Sequence, residues 1–337
     1  MRTTLIVGLI AIGSIAGVRS GDNRPVNGTI WAANRGAHSI RGFDASSGAV
    51  VRTVNMAANS QPGDLAYARG RLYVAEEFGT PPAVAIVDAV DDTQAIRRIS
   101  FPTGYRPHHV HASNGGNFVA VGLYGTDLVG VIDTSDDTLL GPWDSNVATT
   151  NGRIHAAVFS NDGNTLYLAN EGANELVVME TRTGTVLWRM TIPAIHEMAI
   201  THNEKIAYVT RRGANRLAIV DLEERSYTDV LTLGLPDTLQ LSADQTLLTV
   251  GLRTSPAQLA VIDTGSLNAQ IVTLTPPEEP TTIAGHQWTS PSGRFTFASF
   301  EGGAHPGLAV VDHKAGNVVV QRLDYPGRPH GVDHALK

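Results

Sequence analysis

Apolar residues occur along this chain in short runs, and residues that are typical of turns separate these runs. The clearest example is residues 152–190, GRIHAAVFSNDGNTLYLANEGANELVVMETRTGTVLWRM, where NDG, EGAN and RTG stand between four apolar runs. Runs of this length, rich in Val, Leu, Ile and aromatic residues and bounded by Gly, Asn and Asp, are typical of β-strands joined by tight turns. The stretch therefore predicts one four-stranded antiparallel meander.

The same layout recurs along the chain, with further copies starting near Pro62, Arg106, Ala194, Leu235 and Ala284. Equivalent places near the start of successive units, 41 to 49 residues apart, are occupied by Asp64, His109, His155, His196, Asp237, His286 and His330. Four-stranded units repeated at this period are the signature of a β-propeller.

A seventh unit is divided between the two ends of the chain. Residues 28–54 supply its second, third and fourth strands, and RPHGVDHAL, residues 328–336, supplies the first. We therefore predict an all-β, seven-bladed β-propeller of four-stranded blades, a single domain over residues 21–337. Pairing of the C-terminal strand with the N-terminal strands would close the ring and remove two exposed sheet edges.

The first 20 residues follow a different pattern. Arg2 precedes an apolar run from Leu5 to Ile12, and small residues follow, as in a secretory signal peptide. We expect cleavage after Ala16 or Ser20 and a secreted or periplasmic protein. No stable membrane span is expected because the run is short, an uncleaved anchor being the alternative.

Charge and cysteine count exclude several kinds of partner and site. The chain has 337 residues, 42% of them hydrophobic, and a net charge of −7. This charge argues against a general basic face, so no nucleic-acid partner is expected. The chain has no Cys, which excludes thiolate metal sites and Cys nucleophiles.

Three segments of the repeats carry a family resemblance. LYVAEE, LYLANEGANELVVMETRTGTV and AYVTRRGANRLAIVDLEE resemble the YVTN-type propeller repeats of exported bacterial and archaeal proteins and of seven-bladed, lactonase-like proteins. The resemblance extends over residues 28–337 and implies the same fold. It implies no particular activity, because one propeller fold serves catalysis, binding and scaffolding.

The starts of the first strands supply candidate metal ligands. In a propeller these strands lie innermost, so their starts converge around the central channel. The metal candidates are His109, His111, His155, His196, His286 and His330. Imidazole, with carboxylate, suits a divalent transition metal such as zinc or copper. The alternative is structural, with each imidazole bonding the backbone of a neighbouring blade.

The segment HHVH is the densest group of these ligands. Strict alternation along a strand predicts that His109 and His111 share one side, while His108 points to the other. Packing of one or two of these imidazoles is the alternative to metal ligation.

The loops that follow the second strands supply charged candidates at the same face. Arginines there suit a carboxylate ligand, and a Glu suits a metal or a general base. With two of the strand starts, the candidates for ligand binding are Arg35, Tyr124, Arg212, Arg253, Asp64 and Asp237. The candidates for catalysis are His155, His196, Arg212 and Glu171. A solvated rim of loop charges is the alternative.

Three functions remain open from the sequence. The first is an exported protein that binds a transition-metal ion or a small anionic ligand at the His/Asp-ringed mouth of the channel. The second is a lyase, lactonase or isomerase that uses the same His, Arg and Glu residues. The third is a scaffold that binds a protein partner through the propeller faces. A monomer is expected in each case.

Overall fold

The computed structural model describes residues 26–145, 152–276, 278–279 and 281–335. The expected signal peptide, residues 1–20, lies outside these ranges. The described residues form seven antiparallel sheets around a central channel, which confirms the seven-bladed propeller. They contain one short 3-10 helix, Arg212–Ala214, and no helix among them is long and apolar enough to cross a membrane.

Each blade consists of strands that follow one another outward from the channel. The innermost strands are β4 (Pro62–Ala68), β8 (Pro107–Ala112), β13 (Ile154–Phe159), β17 (Glu197–Ile200), β21 (Pro236–Leu241), β25 (Ile283–Thr289) and β29 (Pro329–Ala335). The second strands are β1 (Thr29–Asn34), β5 (Arg71–Glu76), β9 (Phe118–Leu123), β14 (Thr165–Asn170), β18 (Ile206–Arg211), β22 (Leu247–Leu252) and β26 (Phe295–Glu301).

The third strands are as apolar as the second because both are covered on two faces by neighbouring blades. They are β2 (Ser39–Asp44), β6 (Ala83–Asp88), β10 (Leu128–Asp133), β15 (Glu175–Glu180), β19 (Arg216–Asp221), β23 (Gln258–Asp263) and β27 (Gly307–Asp312). The outer strands are β3 (Val50–Asn55), β7 (Arg97–Ser100), β11 (Thr138–Leu139), β12 (Trp143–Asp144), β16 (Val186–Thr191), β20 (Ser226–Thr232), β24 (Ala269–Thr273) and β28 (Val318–Asp324).

One blade departs from the four-strand prediction. Its outer strand is split into β11 and β12, which both pair with β10. Gly141 and Pro142 lie between the two pieces. Since Pro has no backbone N–H to donate, it interrupts the ladder at this point.

Buried apolar clusters fill the interfaces between blades. The described residues form seven such clusters, and each combines side chains from two adjacent blades. At the interface beside the divided blade, for example, Trp31 and Ile40 pack with Leu72 and Val74. The closed ring thus buries both faces of every blade, which holds the inner strands in fixed positions around the channel.

The divided blade is assembled as the sequence predicts. Its sheet has the order β29-β1-β2-β3, with β29 antiparallel to β1. The buried side chain of Asn34 fixes this junction. Its Nδ2 donates to the carbonyl of Pro326 at 3.1 Å, and its Oδ1 accepts from the backbone N–H of Arg328 at 2.7 Å and of Ala37 at 2.9 Å.

We predict that Asn34→Ala destabilises the closed ring. The exchange leaves buried backbone groups on both sides of the junction without partners, so the free energy of unfolding should fall by about 2–4 kcal/mol. Urea unfolding followed by tryptophan fluorescence measures the change. The exposed Asn268→Ala should stay within about 0.5 kcal/mol, and an equal effect of both exchanges would contradict the role of Asn34.

Candidate functional site

The candidate site is built where the inner strands begin. In six of the seven blades, the inner strand carries an extra residue there relative to its neighbour. Such β-bulges re-aim side chains. In β8 the bulge falls on His108 and His109. His109 and His111 share one side of the strand, as predicted, and both line the same cavity. The predicted separation of His108 from His109 is wrong, because the bulge brings their rings together with centroids 4.7 Å apart.

Six imidazoles from five blades form a connected group, which we call the imidazole layer. Its members are His108, His109, His155, His196, His286 and His330. Neighbouring ring centroids lie 3.6 Å apart for His155 and His196, 4.1 Å for His109 and His155, 4.4 Å for His109 and His286, and 4.5 Å for His286 and His330. All but His108 are fully buried, so the layer lies inside the channel.

Buried carboxylates hold one ring nitrogen of four of these imidazoles. The nitrogen–oxygen distances are 2.7 Å for His196 Nε2 and Asp237 Oδ1, and 3.1 Å each for His108 Nδ1 and Glu77 Oε2, His109 Nδ1 and Glu197 Oε2, and His286 Nδ1 and Asp64 Oδ1. Contacts of this kind fix the tautomer and the orientation of an imidazole. They leave the second ring nitrogen of each available for another partner.

The protonation of the layer is uneven. Burial lowers the pKa of His108 to about 4 and, with the charge of nearby groups, lowers the pKa values of His155 and His330 well below the ordinary value. Burial also disfavours the cation of His196, but hydrogen bonds to Asp237 outweigh this effect and raise its pKa. The layer thus combines neutral imidazoles with one that favours its protonated form.

The carboxyl groups around the layer are ionised. Burial by itself raises the pKa of a carboxyl group. Hydrogen bonds and charge from His108 and from His196 nevertheless lower the pKa values of Glu77 and Glu171 to about 2. The pKa of Glu197 is also lowered, through His109. The layer is therefore surrounded by negative charge.

Ion pairs surround the layer on the side of the loops between second and third strands, which we call the loop face. Five arginines there bind carboxylates: Arg35 and Arg106 contact Glu77, Arg253 and Arg328 contact Glu301, and Arg212 contacts Asp237. Tyr124 donates its hydroxyl to Glu171 at 2.9 Å. These contacts tie neighbouring blades together around this end of the channel.

A cavity of about 520 Å³ lies on the other side of the layer. It extends along the inner strands to the turns between first and second strands, which we call the turn face, and it reaches Asn114, Asn161 and His202 there. Its inner end is lined by Asp64, His109, His111, Glu197 and His286. The accessible space is thus at the end of the channel opposite to the loop-face mouth that the sequence predicts as the ligand site.

Three groups of side chains have ligand atoms within 4.8 Å of one another. They are His108 with His109 and His155, Asp64 with His109 and His286, and His109 with His111 and Glu197. His109 belongs to all three. Of the predicted metal ligands, His196 and His330 belong to none of these groups, although their rings contact those of His155 and His286.

The predicted catalytic residues lie together on the loop-face side. Glu171 Oε2 is 3.6 Å from His196 Nδ1, and Glu171 Oε1 is 3.7 Å from Arg212 Nη2. His155 adjoins them through His196. None of these four described residues lines the cavity, and their catalytic role stays a prediction.

The remaining ligand-binding candidates are divided between the two sides. Arg35, Tyr124, Arg253 and Asp237 lie with the loop-face ion pairs, whereas Asp64 lines the cavity. Because the loop-face arginines already have carboxylate partners, a carboxylate ligand would have to compete with these partners.

Glu197 is the central residue that sequence reasoning missed. It follows His196 directly, and alternation would turn the two side chains apart. Here both side chains face the channel, since His196 is part of the layer and Glu197 contacts it. The reason is that both residues bond to Thr210: Glu197 is its partner in the sheet, and His196 donates its N–H to the carbonyl of Thr210. The only signal in the sequence was an acidic residue next to the His of the repeat. Because many surface strands also have an acidic residue next to a His, this signal does not identify a site residue.

Comparison with known proteins identifies a family of seven-bladed propellers to which this chain belongs. A family model described as "Lactonase, 7-bladed beta-propeller" matches residues 103–275. YncE of Salmonella typhimurium is 24% identical over 243 residues, which cover 67% of this chain and 66% of YncE, so the match spans just under two thirds of that relative.

Two solved structures share the fold. The periplasmic gluconolactonase PpgL of Pseudomonas aeruginosa has a TM-score of 0.67 at 18% identity, over 92% of this chain and 99% of that one. The dihydro-heme d1 dehydrogenase NirN in complex with DHE has a TM-score of 0.63 at 14% identity, over 92% and 75%. Identities this low establish similarity of fold alone.

We predict that the metal-free protein loses stability on acidification between pH 6.5 and 4. His108, His155 and His330 have folded-state pKa values below the unfolded value of about 6.5, so their contribution is complete above that pH and is lost as the pH falls. His196, whose pKa is raised, is protonated in both the folded and the unfolded state over this range, so its contribution is complete below pH 6.5 and is lost only as the pH rises above that value. We expect a net slope of about 1–3 kcal/mol per pH unit in urea unfolding. His155→Gln should reduce the slope, whereas the exposed His305→Gln should not; a flat profile would contradict the assignment.

Proposed function

We propose that the channel of this chain, which belongs to the family of seven-bladed β-propeller lactonases, holds a divalent transition-metal ion, zinc or copper, on the imidazole layer. We propose further that the protein is exported, as the pattern of residues 1–20 suggests. The similar fold of a periplasmic gluconolactonase is consistent with that location.

The observation that carries the proposal is a set of ring nitrogens without partners. Among the described residues, His155 Nδ1, His286 Nε2 and His330 Nδ1 are buried and accept or donate no hydrogen bond. A buried polar atom without a partner costs about 1–3 kcal/mol. The rings of His155 and His286 both contact that of His109, and each shares a group of ligand distance with it. An ion bound at His109 would therefore give a partner to the nitrogen of one of these two rings, whereas His330 lies outside these groups.

The surrounding carboxylates fit the same proposal. Asp64 holds Nδ1 of His286 and leaves the partnerless Nε2 free, which is the arrangement of a carboxylate–imidazole–metal triad. Asp64 and Glu197 together carry the two negative charges that balance a divalent ion. We place the ion next to His109, because this residue belongs to all three groups of side chains whose ligand atoms lie within 4.8 Å of one another.

We predict that protein recovered from the exported fraction contains about one zinc or copper ion per chain by elemental analysis. After treatment with a chelator, calorimetry should detect rebinding, with affinity falling as the pH drops through the His range because protons compete for the ring nitrogens. His286→Gln should weaken binding roughly 10-fold or more.

The matched control is His305→Gln, since His305 is exposed on the loop face, away from the layer. It should bind metal like the unchanged protein. A chelated protein that rebinds no ion, or a His286→Gln variant of unchanged affinity, would overturn the proposal.

Lactone hydrolysis is a second candidate function, favoured by the pair of His109 and Glu197 at the inner end of the cavity. With Nδ1 donating to Glu197, Nε2 of His109 can take a proton from water that attacks the lactone carbonyl. The C–O bond of the ring then breaks, and the proton passes to the leaving alkoxide.

We predict that Glu197→Gln lowers kcat/KM for lactone hydrolysis roughly 10- to 100-fold, with KM little changed, because the imidazole loses its orienting charge. A pH-stat assay on a panel of sugar lactones measures the rates. Glu223→Gln, on the exposed surface, is the control. Absence of turnover by the unchanged protein in both its metal-free and its metal-loaded form would exclude this candidate.

A further inference from the structure

The charge on the cavity wall indicates what kind of ligand the turn-face side admits. The described residues that line the cavity include the carboxylates Asp64, Glu197 and Glu204 but no Arg or Lys, and they include Asp333, whose pKa burial raises to about 7. The five arginines of the loop-face ion pairs lie beyond the imidazole layer, and each binds a carboxylate. A ligand in the cavity therefore meets acceptors and imidazoles without a guanidinium or ammonium group.

We propose that this cavity binds an uncharged, hydroxyl-rich ring and discriminates against phosphorylated or carboxylated forms of the same ring. The inference rests on the cavity being the ligand site of the proposed function, and it names the class of ligand. The ligand enters from the turn face and reaches the layer with its reactive group.

The volume and the wall of the cavity suit such a ring. About 520 Å³ is within the range of small-molecule sites. Trp288 and Tyr67 contribute aromatic surface to the wall, and the indole of Trp288 is held by stacking on His334, with ring centroids 4.4 Å apart. Aromatic surface with a few fixed polar groups is the common composition of sites for ligands of this size.

Carboxylate oxygens along the wall are suited to accept hydrogen bonds from the hydroxyl groups of a ligand. Glu204 uses Oε1 for the backbone N–H of Asn161 at 2.7 Å, and no described residue donates to its other oxygen. Asp333 is fixed by backbone N–H groups of Tyr67 and His334 at 2.7 and 2.8 Å. Hydroxyl groups can donate to such oxygens, whereas the negative charge of a phosphate or carboxylate group is repelled by the carboxylate of Glu204.

A bound metal ion does not reverse this selectivity. Asp64 and Glu197 lie at the inner end, where they balance the charge of a divalent ion. Glu204 lies at the outer end of the cavity and belongs to none of the three groups of side chains that could hold a metal ion. Its charge faces every incoming ligand whether or not the layer is loaded.

The test uses binding of inert analogues, so that it does not depend on turnover. Gluconolactam and its 6-phosphate are titrated into the metal-loaded protein by calorimetry. We expect the uncharged lactam to bind at least roughly tenfold more tightly at low salt, because Coulomb repulsion disfavours the phosphate. Equal or tighter binding of the 6-phosphate, or no binding of either lactam, would overturn the proposal.

A charge exchange at the outer end tests the cause of the selectivity. His202 is exposed and lines the cavity, so His202→Lys should reduce the preference for the uncharged lactam roughly three- to tenfold. The matched exchange His305→Lys, on the loop face, should leave it unchanged. If both variants behave alike, the wall charge is not the cause and the proposal fails.

The outcomes also separate this inference from the proposed function. Selective binding of the uncharged lactam without lactone turnover would reject hydrolysis and support the ligand class. Turnover of a phosphorylated lactone in preference to the uncharged one would support hydrolysis and reject the ligand class.

Discussion

The pairing of buried imidazoles with buried carboxylates is the interaction on which the channel depends. An isolated carboxylate in a protein interior costs several kcal/mol, and so does an isolated imidazolium. Pairs such as His196 with Asp237 and His286 with Asp64 remove that cost, and they also decide which nitrogen of each ring stays free. The same contacts thus lower the cost of burying these charged groups, and they determine which ring nitrogens can bind a ligand or take up a proton.

The overall architecture could be predicted from the sequence because it depends on local patterns. Each blade needs four apolar runs and three turns, and the spacing of His109, His155 and the equivalent residues repeats accordingly. Even the divided blade was predicted correctly, since its inner strand was missing at one end and present at the other. The interruption at Pro142 could also have been anticipated, as Pro is a local signal.

The arrangement of the site could be predicted only in part. The repeat placed His109 and His286 at one level, but the β-bulge of β8 brought His108 beside His109, and the bonding of both His196 and Glu197 to Thr210 brought Glu197 against the layer. Both arrangements depend on pairing across strands. The cavity lies on the turn-face side of the layer, whereas the sequence placed the ligand site at the loop face. Whether Arg212 and Arg253 are free for a ligand depends on carboxylates that reach them from neighbouring blades, and no local pattern records those partners.

The position of His330 in the last strand has a consequence for biosynthesis. While the ribosome is still making β29, the earlier blades can form only an open arc, with a free edge on β1 and a gap beside His286. The layer is completed when β29 inserts between them. A chain that ends before β29 would therefore lack both the sealed ring and a member of the layer.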